Sequence, residues 1–302
     1  MVFDSSSTRA LATRKVHGKT VIVTGAGSGL GLETADALAC KGASLILIEI
    51  DPARGEAMVT RIAKIGPKPR LFIADLSQQS EVRRVAGEIL TSTPRIDVLV
   101  NNAGALFNSR QVTVDGLERT FALNHMGYFL LTCLLLNRII ASAPARIISV
   151  SSSAHLFTTL NLDDLQTEKQ YSGELAYNRS KLANILFTRA LARRLQHTGV
   201  TANCLDPGFL IRSRFFENIK GAKHFFAQIM GPIIGVSPAV GARTSIYLAS
   251  SPDLASNTGQ YFVKCKVAVP STAAQDDVAA ERLWMESLRL AKLKDQVVIE
   301  DR

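Results

Sequence analysis

Short apolar runs of strand length alternate with stretches of helical periodicity along most of the chain. A strand that reads as a continuous apolar run needs cover on both faces, and a parallel neighbour needs a crossover that a helix supplies. The alternation therefore predicts an α/β fold: a Rossmann-type, doubly wound parallel sheet of about seven strands with helices on both faces, in a single domain. Strands are predicted at residues 19–24, 43–50, 71–74, 96–100, 146–151 and 200–205, with a short last one near 260–263. Helices are predicted at 32–41, 53–65, 78–91, 116–140, 173–197 and 239–249, the second stopping at Gly66-Pro67. After Asp206-Pro207-Gly208 the pattern breaks into an irregular aromatic-rich stretch, 209–238, read as a substrate lid. Residues 1–17 read as a flexible polar tail and 18–302 as the domain. Its last part, 275–302, is a helical tail with Val278, Leu283, Trp284, Leu288 and Leu290 at near-helical spacing, placed to cover the lid or a partner subunit.

Composition narrows the function classes. With 47% hydrophobic and 20% charged residues in 302, the chain is neither disordered nor collagen-like. Its four cysteines, Cys40, Cys133, Cys204 and Cys265, lie far apart with no Cys-x-x-Cys, so no metal site and no thiol redox pair is drawn. The net charge of +9 raises nucleic acid as a partner, but the positive residues are dispersed on helix-like segments without aromatic interleaving, and no nucleic-acid role is expected. No apolar run reaches the ~18 residues of a spanning helix. The first 19 residues, rich in Ser, Thr and Arg, fit a polar tail better than a transit peptide, and with no secretory signal a cytoplasmic setting is expected.

Two places along this alternation carry chemistry. The turn Thr24-Gly-Ala-Gly-Ser-Gly-Leu-Gly31 joins the first strand to the first helix, where free N–H groups and the helix dipole favour a pyrophosphate. Leu30 stands where the commonest dinucleotide fingerprint has its third glycine, yet the setting in a βαβ unit points to Gly25, Ser28, Gly29, Leu30 and Gly31 as cofactor contacts. Glu49, 18 residues past Gly31, is placed to accept from the adenosine ribose; the other reading is a strand-end cap compensated by Arg54. Neither Ser28 nor Ile50 offers a cation for a 2′-phosphate, so NAD is favoured over NADP. Asp75, with Leu76 beside it, either meets the adenine amino group or caps the next helix.

The second place is the carboxyl edge of the sheet, where open α/β proteins bind ligands. Asn101-Asn-Ala-Gly104 and Ser151-Ser-Ser153 end the fourth and fifth strands there, and Tyr177 with Lys181 lie four apart on one face of the following helix. Of five tyrosines, Tyr177 alone has a lysine four residues later. An ammonium beside a phenol stabilises phenolate and lets it move a proton near neutral pH, while a serine hydroxyl polarises a reacting carbonyl.

Together these motifs resemble the short-chain dehydrogenase/reductase family, over roughly residues 18–263: Thr24 to Gly31, Asn101 to Gly104, Asn124, Ser152, and Tyr177 to Lys181. Ser151-Ser-Ser-Ala-His155, Tyr177-Asn-Arg-Ser-Lys-Leu-Ala-Asn-Ile-Leu-Phe187 and Thr244-Ser-Ile-Tyr-Leu-Ala-Ser-Ser251 narrow it to the retinol-dehydrogenase-like branch. The chain departs from that branch in placing Ile50 at the basic NADP-selecting position and in showing no membrane anchor. The resemblance implies hydride transfer between an alcohol carbon and nicotinamide. Tyr177 would be general acid or base, Lys181 would also bind the nicotinamide ribose, Ser152 would stabilise the alkoxide, and Asn124 would hold a relay water. Asn102, Ala103 and Gly104 would line the adenine-ribose side and Pro207 with Gly208 the carboxamide. A lipophilic alcohol, ketone or aldehyde is the implied substrate, with His155 and His224 as candidate substrate contacts. The aromatic residues of 209–238 are read first as a pocket roof, second as core packing and third as a peripheral membrane contact; homo-oligomerisation through the two long helices is a further expectation. The alternative function is a nucleotide-binding regulatory protein of the same fold without catalysis.

Overall fold

The computed structural model describes residues 16–208 and 236–294. The expected lid, apart from 236–238, most of the N-terminal tail, the last eight residues and His224 therefore lie outside the described residues. In chain order the elements are β1 (Thr20–Thr24), α1 (Gly29–Cys40), β2 (Ser44–Glu49), α2 (Pro52–Ile62), β3 (Arg70–Ile73), α3 (Gln79–Ser92) and β4 (Val98–Asn101). They continue with α4 (Arg119–Ala141), β5 (Ala145–Val150), α5 (Gly173–Arg194), β6 (Val200–Asp206), α6 (Pro238–Ser250), β7 (Tyr261–Val263), β8 (Lys266–Ala268) and α7 (Asp277–Leu290). The sheet runs in the order β3-β2-β1-β4-β5-β6-β7-β8, parallel through β7.

Strand alternation explains the two layers. Val21, Val23, Leu45, Leu47, Val98 and Val100 point to one face, where Leu38 of α1, Met58 and Ile62 of α2 and Leu248 of α6 cover them. Ile22, Ile46, Ile48, Leu99 and Ile147 point to the other, covered by α3, α4, α5 and α7. With both faces buried, the strands have no polar side to show in the sequence.

Three features depart from the sequence reading. An eighth strand, β8, turns back antiparallel to β7 through Lys264 and Cys265, both at positive φ (49° and 62°). Neither residue type signals such a turn, which ordinarily takes Gly or Asn. The long helix starts at Arg119 rather than 116: Gly116 sits at φ 76° in a turn, and the Glu118 carboxylate caps the helix by accepting from the N–H groups of Thr120 and Phe121. That helix is long and apolar enough to cross a membrane by length and composition, because it continues unbroken through Asn137 and Arg138. Phe129, Leu130, Leu131 and Leu135 bury it in the sheet-facing core instead. Likewise, Leu283, Trp284 and Leu288 seat α7 in the core against α5, while Val278 faces outward.

Candidate active site

The glycine turn is built from main chain. Gly25 and Gly29 hold φ of +64° and +54°, a region that costs residues with a Cβ. A Cβ on Gly31 would stand 2.1 Å from the Gly25 carbonyl oxygen, and one on Gly27 would stand 2.8 Å from a Glu49 oxygen. Ser28 caps α1 without any side-chain hydrogen bond, and no acid sits in the first turn. The helix thus presents its N–H groups with no carboxylate or hydroxyl in competition, which fits the pyrophosphate of a dinucleotide.

Thr24 and Asn102 tie this turn to the next one. Thr24 Oγ1 accepts from the N–H groups of Asn102 (2.8 Å) and Ala103 (2.9 Å), and the Asn102 amide donates to the carbonyls of Thr24 (2.8 Å) and Gly25 (3.3 Å). At the adenosine end the buried Glu49 carboxylate accepts from Gly27 N–H (2.8 Å), Ile50 N–H (3.1 Å) and Asp51 N–H (3.3 Å), with Arg54 3.4 Å away. The capping arrangement with Arg54 is therefore formed, and Arg54 is also paired with Asp51 at 3.2 Å. Asp75 likewise takes the capping option: it accepts from the Ser77 N–H and hydroxyl and from the Gln78 amide. Leu76 is buried against α4.

At the chemical end the two adjacent serines have different partners. Ser151 is buried and donates to the Lys181 carbonyl at 2.7 Å, fixing α5 against β5. Ser152, one residue on, turns the other way, accepts from Ala154 N–H (3.2 Å) and is hydrogen-bonded to the Tyr177 phenol. Lys181 is 3% exposed, donates to the Val150 carbonyl at 3.1 Å, and lies 5.5 Å from the Tyr177 ring centre and 5.9 Å from that of Tyr128. A Cβ on Gly104 would stand 3.1 Å from Asn124 Oδ1 and 3.5 Å from Lys181 Nζ, so the turn after β4 closes over the same spot. Gly208, at φ +107°, donates to Asp206, which ends β6 on this edge just before Pro207.

Two features bear on the expected proton transfer. Burial raises the Tyr177 pKa first, the Ser152 hydrogen bond opposes it, and the nearby Asp206 charge raises it further. Burial pushes the Lys181 ammonium down to about 8. Both shifts disfavour the charged form in a desolvated place. Second, the Asn124 carboxamide is committed to the protein: it accepts from Ala105 N–H and donates to the Ala105 carbonyl and the Ser180 hydroxyl, at 2.9, 2.9 and 3.0 Å. It clamps the turn after β4 to α5 and has no amide hydrogen left for a relay water.

His155 is also buried rather than turned to a substrate: its Nδ1 is 2.7 Å from the Ser152 carbonyl and its Nε2 accepts from Ser271 N–H at 3.2 Å. Sequence reasoning missed Ser180, Asn184 and Asp206. Ser180 and Asn184 lie three residues beyond Tyr177 and Lys181 on α5, the spacing that places them on the same helix side.

The model of the short chain dehydrogenase family matches residues 19–224. Human retinol dehydrogenase 14 is 41% identical over 89% of this chain and 85% of its own, and human retinol dehydrogenase 13 is 41% identical over 94% and 88%. Among solved structures, an uncharacterised protein from Mycobacterium paratuberculosis superposes with a TM-score of 0.73 at 32% identity, covering 93% of this chain and 97% of that one. The Pseudomonas aeruginosa RhlG/NADP complex gives 0.66 at 27% identity, covering 83% and 96%. Sequence likeness over nearly the full length, and superposition on these structures, lead to one conclusion: the chain belongs to the short-chain dehydrogenases, in their retinol-dehydrogenase-like branch.

Proposed function

We propose that this oxidoreductase interconverts a lipophilic alcohol and its carbonyl by hydride transfer, with Tyr177 as general acid in reduction and general base in oxidation. The observation that carries the reading is the Tyr177 phenol hydrogen-bonded to Ser152 beside the buried Lys181. When bound, a nicotinamide dinucleotide supplies the hydride donor or acceptor. The N–H groups around Ser28, Gly29, Leu30 and Gly31 would hold its pyrophosphate, Glu49 its adenosine ribose, and Pro207 with Gly208 its carboxamide. In reduction the substrate carbon gains hydride while the Tyr177 hydroxyl gives its proton to the carbonyl oxygen, and Ser152 stabilises the charge developing there. Lys181, its ammonium pushed down to about 8 by burial, is the donor from which the phenolate regains a proton. Because burial keeps the phenol protonated, reduction meets an acid already in place.

Two further observations support the finer reading. Leu156 (54% exposed) and Phe157 (74%) stand on the turn that Ser152 opens, an apolar rim suited to a lipophilic substrate. Glu49 at the end of β2 favours NAD over NADP, and Arg54, the one cation beside it among the described residues, is already held by Glu49 and Asp51. The test is fluorescence titration with NADH and NADPH of the wild type, Glu49→Arg and Tyr177→Phe, followed by turnover of all-trans-retinal and decanal. NADH affinity above NADPH affinity, inverted in Glu49→Arg, is expected, with turnover abolished in Tyr177→Phe while binding persists. Preference for NADPH would overturn the NAD assignment, and an active Tyr177→Phe would overturn the acid–base role. Binding without turnover would return the non-catalytic regulatory reading.

A further inference from the structure

One turn of α4, Ala122–Met126, is π-helical. Such turns are rare and gather at functional sites, and here both Asn124 and His125 are fully buried. The His125 ring is boxed by Phe121, Phe129 and Phe187, with centres 5.1, 6.2 and 6.1 Å away. Its Nε2 is 2.9 Å from the Ser287 hydroxyl on α7, and its Nδ1 is 3.4 Å from Asn184 Oδ1 on α5. The Asn184 amide donates to the carbonyls of Asn124 (2.9 Å) and Val150 (3.4 Å), and Val150 is the acceptor that anchors Lys181.

This chain has a direction. Two main-chain carbonyls can only accept, so the NH₂ of Asn184 faces them and its oxygen faces His125. That oxygen requires a proton on Nδ1, which leaves Nε2 bare and makes the Ser287 hydroxyl its donor. Burial holds the ring neutral at physiological pH, with its pKa pushed down to about 4.

We propose that His125 is a positioning residue for the candidate proton-transfer group, coupling helix α7 to Asn124 and Lys181 through a directed chain of hydrogen bonds from Ser287. The inference rests on the dehydrogenase reading only for its effect on turnover. Asn184 fixes the tautomer and the Ser287 hydroxyl supplies the donor that the bare Nε2 needs, so removing that hydroxyl leaves a buried nitrogen unpaired and frees the ring from α7 to turn. An imidazole carrying its proton on Nε2 would need a donor at Nδ1; Asn184 would turn its amide, and the carbonyls of Asn124 and Val150 would lose their partner.

The test is the imidazole ¹⁵N spectrum of the full-length protein, with the His125 signals assigned by their loss in His125→Asn, measured on the wild type, Ser287→Ala and Ser287→Thr. The wild type and Ser287→Thr should show the Nδ1–H tautomer, and Ser287→Ala should shift the Nε2 resonance. In parallel, Ser287→Ala should lower kcat for all-trans-retinal with NADH roughly three- to tenfold, leave KM and NADH affinity within about twofold of the wild type, and be rescued by Ser287→Thr. A wild-type ring protonated on Nε2, or an unchanged kcat in a Ser287→Ala variant whose ring has moved, would overturn the proposal. If the wild type turns over nothing, the dehydrogenase reading falls by itself; the tautomer still decides the coupling, Nδ1–H supporting it and Nε2–H overturning it.

Discussion

The two ends of the site are made of different material. At the nucleotide end the work falls to main chain and missing side chains: glycines at positive φ, the uncapped start of α1, and a serine whose hydroxyl makes no cap bond. At the chemical end it falls to buried side chains that use one another up, Asn124 on Ser180, Asn184 on Asn124, His125 on Ser287. A site built from backbone tolerates exchange of the side chains around it and fails when a methyl group is added. A site built from linked side chains fails when a single atom is removed.

The sharpest way to test that contrast is Tyr177→Phe, which deletes one oxygen. Turnover should fall by roughly 10²–10⁴-fold, while NADH titration gives the wild-type affinity because the glycine turn is untouched. Next in size is acid sensitivity. The folded pKa of His125, about 4, lies below its ordinary 6.5, so between those values the unfolded chain binds more protons. The stability this group contributes is complete above pH 6.5 and is lost as pH falls toward 4, up to about 3 kcal/mol. Urea unfolding across that window should show the slope in the wild type and a flatter one in His125→Gln.

Gly31→Ala comes third and breaks the other end. Its Cβ meets the Gly25 carbonyl, so unfolding should cost about 1–3 kcal/mol less than in the wild type and NADH binding should disappear. Ser28→Ala beside it should move stability by no more than about 0.5 kcal/mol. An equal loss in the two variants would refute the backbone account. The smallest effect belongs to the outer ion pairs of α5 and α7, Arg193 with Asp277 (2.6 Å) and Glu281 (2.7 Å). They are partly exposed to solvent, and Arg193→Ala should lower stability by less than about 1 kcal/mol with turnover unchanged, setting them apart from the buried link at Ser287.

The same contrast explains what could be read from the chain. The glycine turn and the Tyr177–Lys181 spacing are local patterns, so they stood out in the sequence, as did all seven parallel strands. The β7–β8 hairpin did not, because Lys264 and Cys265 adopt positive φ without belonging to the residues that favour it. The π turn left no mark either: Asn124-His125 reads as two polar residues of an ordinary helix until Asn184 and Ser287, 60 and 162 residues away from their partners, are folded against it. Ser152 could be told from Ser151 by strand register alone, since alternation sends neighbours to opposite sides. The electrostatics could not be read, because burial, which no short motif encodes, sets the direction of both the Tyr177 and Lys181 shifts.

The backward turn into β8 also bears on solubility. A parallel sheet ending at β7 would leave the outer hydrogen-bonding groups of Tyr261–Val263 as a template for another chain, beside side chains that are buried in the core. Three residues led by the exposed Lys266 fill that row instead. So short a border, opened by a lysine, offers a neighbouring molecule little to extend, and the same chain that folds the sheet also guards its open margin.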